Sequence, residues 1–86
     1  MTEPIIEYPR PWSYRLIGKD EALMRAAVEA TCAERFADYA YSLTAGNVSR
    51  AGKYVSLNFE IIAISEEFRN EVFAALRGLP PVVYVL

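Results

Sequence analysis

The chain contains no histidine. That removes the commonest general base and the commonest metal ligand together. Any catalysis would fall to carboxylates, lysine, tyrosine or a single thiol. The one cysteine, Cys32, cannot form an internal disulfide, which fits a reducing cytoplasm. No apolar run approaches the roughly 20 residues needed to span a bilayer. The opening "MTEPIIEYPRP" has neither the basic start nor the apolar core of an export signal. An excess of positive charge is also missing. The net charge of -2 gives no general attraction to nucleic acid or to anionic membrane. The expected location is therefore cytoplasmic.

What is present is an ordinary globular composition. Hydrophobic residues make up 53% of the 86 positions and charged residues 23%, too apolar for disorder. A chain of this length forms one domain, with one core that nearly every element must share.

Pro4, Pro9 and Pro11 fix φ and bias their neighbours toward extended geometry, so residues 1–11 read as an extended arm and 12–86 as the domain. Ile5, Ile6 and Tyr8 are expected to lie over the edge of the core. In "WSYRLIG", Trp12, Tyr14 and Leu16 alternate with Ser13, Arg15 and Ile17, which predicts a strand closed by Gly18. Asp20 is the expected N-cap of a helix running to Phe36, with Leu23, Met24, Ala27, Val28 and Thr31 on its apolar face. Cys32 is placed at the edge of that face. Residues 39–45 alternate again. After a loop at residues 46–52, Val55, Leu57, Phe59 and Ile61 share one face and Tyr54, Ser56, Asn58 and Glu60 the other. The pair reads as a hairpin. Ser65 caps a second helix, with Glu66 and Glu67 in its first turn and Phe68, Val72, Ala75 and Leu76 as its stripe. Gly78, Pro80 and Pro81 end it. "VVYVL" is a final strand.

The order is β-α-β-β-α-β, the ferredoxin-like α+β arrangement: a four-stranded antiparallel sheet with two helices on one face. The core is expected to hold Tyr14, Leu16, Leu23, Val28, Leu43, Leu57, Phe59, Phe68, Val72, Leu76 and Val82. The uncovered face should carry Ser13, Arg15, Ile17, Ser42, Thr44, Tyr54, Ser56, Asn58, Glu60, Val83 and Val85.

Three motifs resemble the YbeD-like family of small bacterial proteins. Glu7, Tyr8, Pro9, Pro11, Trp12, Tyr14 and Gly18 match its opening. Ser49, Gly52, Tyr54 and Ser56 match its hairpin, and Val85 and Leu86 its last strand. The resemblance implies the ferredoxin-like fold, similar to small regulatory domains that bind amino acids in metabolic enzymes. It carries over no catalytic residues.

Two surfaces are candidates for function. At the hairpin tip, Ser49, Arg50, Gly52 and Lys53 combine two cations, a hydroxyl and freed backbone N–H groups that suit an anion. The preferred reading of the same residues is a solvated turn needing glycine for positive φ. On the open sheet face, Arg15, Tyr54, Ser56, Asn58 and Glu60 form a polar surface for a partner. One aromatic beside an acid is a poor platform for stacking RNA bases. Tyr14, Tyr39, Tyr41 and Tyr84 read as core and rim residues. Glu66, Glu67 and Glu71 read as a solvated helix face.

The expected function is a non-catalytic regulatory or adaptor module, with no cofactor or metal, that binds a protein partner through the open face or a sheet edge. The alternative is a dimeric domain sensing an amino acid or other carboxylate through Arg50 and Lys53. Weak homodimerisation is compatible with both; a membrane partner is not expected.

Overall fold

Asp20 and Ser65 start the two helices as their sequence context predicts. Each is extended, and its side-chain oxygen accepts a hydrogen bond at 3.0 Å, Asp20 from the Leu23 N–H and Ser65 from the Phe68 N–H. A cap of this kind satisfies one of the donors that a helix start leaves unpaired. The computed structural model describes residues 7–48 and 52–86. Its elements are β1 (Arg10–Gly18), α1 (Glu21–Arg35), β2 (Tyr41–Val48), β3 (Val55–Ala63), α2 (Glu66–Arg77) and β4 (Val82–Val85). The sheet order is β2-β3-β1-β4 and every neighbouring pair is antiparallel. The fold is thus α+β and ferredoxin-like. Met24, Val28 and Cys32 of α1 and Phe68, Val72 and Leu76 of α2 join Tyr14, Leu16, Leu57, Phe59 and Ile61 in one core, so both helices cover the same face.

The central strands keep the period of two. Tyr14 opposes Phe59 and Leu16 opposes Leu57 on the core side. Ser13 opposes Glu60, Arg15 opposes Asn58, and Ile17 opposes Ser56 on the other. β1 begins at Arg10, inside the segment read as an arm. Pro11 fits this strand because its nitrogen faces away from β3: its partner Ile62 donates its N–H to Ala40 on the far side. β4 pairs only with the far end of β1, so no ladder bond is lost at Pro11. Tyr8 is half-buried against the core, while Ile5 and Ile6 lie outside the described residues.

Four expectations are corrected. Leu23, placed in the core, is 59% exposed. The buried stripe of α1 is Met24, Val28 and Cys32, continued by Phe36 at the C-cap. It is rotated by one residue because that row carries the larger apolar groups, whereas the row from Leu23 ends in Ala27 and Thr31. Cys32 is accordingly a core residue, 1% exposed, and not an edge one. Val85 packs on the core and not on the open face. Here the period of two fails: Gly18 pairs with Val82 but Ile17 with Tyr84, which leaves Val83 unpaired. One extra residue reverses the faces beyond it. Tyr84, placed among core and rim, therefore stands on the open face, 60% exposed.

Candidate functional site

The open face is built in rows across the sheet. Ser42, Glu60 and Ser13 form one, and the Ser13 hydroxyl donates to Glu60 Oε2 at 3.2 Å. Thr44, Asn58 and Arg15 form the next. Ser13, Arg15, Ser42, Thr44, Asn58 and Glu60 are all exposed, as the alternation predicts. A shallow depression of about 140 Å³ lies beside the first row, between Tyr41, Ser42, Glu60 and Ile62.

The third row differs. Ser56 was expected as an open contact, yet it is only 8% exposed. Its hydroxyl donates to the Asn47 carbonyl at 3.0 Å. The pairing of β2 with β3 slips there: Ala45 opposes Leu57 and Val48 opposes Val55, so Gly46 and Asn47 together face Ser56. Gly46 is required at this bulge, because a Cβ on it would stand 2.3 Å from Ser56 Oγ. The bulge carries β2 on to Val48, past the residue 45 expected to end it.

Beyond that row lies a cleft of about 340 Å³. Among the described residues, the apolar Ile17, Val48, Val55 and Tyr84 line it together with Asn47, Tyr54, Ser56 and Arg15. The Arg15 side chain makes no hydrogen bond or ion pair with any described residue. Alternation placed Arg15, Ile17, Tyr54 and Ser56 on this face. It missed Val48 and Tyr84, which reach the cleft only because each lies past a bulge. Gly46 inside an otherwise alternating run was the one available signal for the first of these.

Ser49 and Arg50 lie outside the described residues. Gly52 has φ +69°, the left-handed geometry that a turn asks of glycine. Lys53 is exposed beside it.

Two buried groups elsewhere, Cys32 and Tyr14, are held in their neutral forms. Burial pushes the Cys32 thiol up to about 11, with the Glu29 charge adding to it. Burial likewise pushes the Tyr14 phenol up to about 12; Arg69 opposes the rise and Tyr8 adds to it. Tyr14 also donates to the Arg69 carbonyl at 2.7 Å. A thiol this buried and protonated is a poor nucleophile. Glu66 pairs with Arg69 and Glu71 with Arg35, each at 3.4 Å on the helix surface. Among the described residues, no cluster of three acidic or thiol side chains is placed to hold a metal.

The raised values predict an alkaline loss of stability. Both groups are acids with folded pKa values above their ordinary 9.0 and 10.0, so the folded chain holds these protons more tightly. Their contribution is full below pH 9.0 and is lost as pH rises through about 11 and then about 12. Urea unfolding at intervals from about pH 8 to 11 should show a declining free energy. A flat profile would mean that both groups meet solvent in the folded chain.

Comparison with known proteins bears on the family and the fold. Residues 3–86 match the family described as "Protein of unknown function (DUF493)". An uncharacterised protein of Helicobacter pylori is 30% identical over 86 residues, covering 98% of this chain and 93% of the relative. The solution structure of protein HP0495 from H. pylori superposes with a TM-score of 0.78 at 28% identity, covering 98% of this chain and 88% of that one. The C-terminal domain of the MgtC protein from Mycobacterium tuberculosis superposes with a TM-score of 0.66 at 16% identity, covering 95% and 89% of the two chains. That likeness is one of fold alone. Among the described residues, no helix is long and apolar enough to cross a membrane. These matches support a small uncharacterised bacterial family and do not carry the YbeD-like name: this chain belongs to the DUF493 family.

Proposed function

We propose that the chain is a non-catalytic regulatory or adaptor module of the cytoplasm, and that a partner protein docks on its open sheet face. One observation carries this reading. The helices cover a single face, and the other presents exposed polar rows ending in an apolar cleft beside Arg15, which no described acid pairs. Exposed apolar surface rimmed by polar groups is the usual form of an interaction site. No catalytic role is proposed, because the groups shifted from their ordinary pKa are all displaced toward their neutral forms. The edge of β4, with exposed Val83 and Leu86, supports weak self-association as a second use of the sheet, which light scattering over a wide concentration range reads directly.

The test is capture from cell extract with wild type, Arg15→Glu and Glu60→Lys. Both residues are exposed, so both variants should keep the fold, which circular dichroism checks. They reverse a charge in neighbouring rows of the face. Each should reduce recovery of one common set of proteins. Recovery of the same proteins in the same amounts by all three would remove the open face as a docking surface.

A further inference from the structure

If the open face is the working surface, its cleft has a chemistry of its own. The volume of about 340 Å³ lies within the range of small-molecule sites. Ile17, Val48 and Tyr84 make its walls apolar. Among the described lining residues Arg15 is the one cation, and none is Asp or Glu. The guanidinium is not matched by any described acid. Guanidinium donors form a planar fork that fits a carboxylate through two parallel hydrogen bonds. A ligand ammonium, by contrast, would meet no acid among the described lining residues and would sit near a like charge.

We infer that this cleft binds a monocarboxylic acid with an aromatic or branched apolar body and no amino group beside the carboxylate. The carboxylate lies on Arg15, and the body lies among Ile17, Val48 and Tyr84. This separates the cleft from an amino-acid site, whose ligand brings a positive charge that needs its own partner. The inference rests on the open-face reading only in taking this surface as the one that works.

The test is a nitrogen-15 NMR titration of the whole chain with sodium 3-phenylpropionate, with phenylalanine and with 3-phenylpropylamine. The acid should give saturating shifts at the amides of Ile17, Ser56 and Tyr84. Phenylalanine should bind about tenfold more weakly, and the amine should give no saturating shifts. Arg15→Gln should lower the affinity for the acid about tenfold, and Glu67→Lys, exposed on α2 on the helix-covered side of the sheet, should leave it unchanged. The inference is overturned by any of three results: no saturation up to about 20 mM acid, several times the dissociation constant expected for a ligand of this size; an equal response to the amine; or an unchanged affinity in Arg15→Gln. A null titration leaves the capture experiment standing, since that reads Glu60 as well as Arg15. Capture indifferent to both charge reversals, with acid binding intact, separates the two in the other direction.

Discussion

Replacing Phe59 with alanine should lower the unfolding free energy by about 3–5 kcal/mol. Phe59 is 1% exposed near the middle of β3, a central strand. Its ring lies 6.2 Å from Tyr14 on β1 and 5.6 Å from Tyr41 on β2, so it joins the aromatic residues of both neighbouring strands under the helices. Truncation removes the burial of a large side chain and leaves a cavity that a rigid sheet cannot close. A chain of this length is expected to have only about 4–13 kcal/mol to lose. The variant therefore lies between a marginal fold and none. Urea unfolding measures it, with a midpoint lower by at least about 1 M. Phe59→Leu, which keeps most of the volume, should cost about 1–1.5 kcal/mol and keeps the test readable if the alanine variant does not fold. An alanine variant as stable as the wild type would place the core elsewhere.

The sheet that holds Phe59 was legible because β1 and β3 obey one simple rule throughout. Each alternates without interruption, so Leu16 and Leu57 declare one face and Arg15, Asn58 and Glu60 the other. The helix starts were legible for a local reason as well, since Asp20 and Ser65 each bond an N–H three residues on. The walls of the cleft were not. Tyr84 reaches the open face because Val83 is an extra residue, and Val48 reaches the cleft past the doubled Gly46 and Asn47. A bulge is set by how a strand meets its neighbour, and a period counted along one strand does not contain it. Leu23 misled for a related reason: Leu23 and Met24 begin adjacent helical rows, and what lies beneath the helix decides between them. The polar face could thus be read from the sequence, while the apolar cleft at its end depends on tertiary pairing.

Gly18→Ala should be the most damaging small substitution, at about 2–3 kcal/mol, and it should reach the cleft as well. Gly18 closes β1 and is buried. A Cβ there would stand 2.4 Å from the Pro81 carbonyl oxygen and 2.6 Å from Met24 Sδ. The methionine can swing aside, since its thioether is flexible. The carbonyl cannot, because it is backbone at the entry to β4, where the Val82 N–H donates to the Leu79 carbonyl at 3.0 Å. Accommodating one methyl group therefore means moving the start of β4. Val82 pairs with Gly18 and Tyr84 with Ile17, so the displacement passes to the side chain that walls the cleft. Folded Gly18→Ala should thus show altered Ile17 and Tyr84 amide signals and weaker binding of 3-phenylpropionate, beside its lower urea midpoint. Gly78→Ala is the control. Gly78 is exposed, has φ -79°, and a Cβ on it would find nothing closer than 3.5 Å. That change should be neutral or stabilise by up to about 1 kcal/mol, because it restricts the unfolded chain without strain in the folded one. Equal midpoints for the two alanine variants would mean that the approach of Pro81 to Gly18 is not part of the native packing. The link from β1 to the cleft through β4 would then be lost with it.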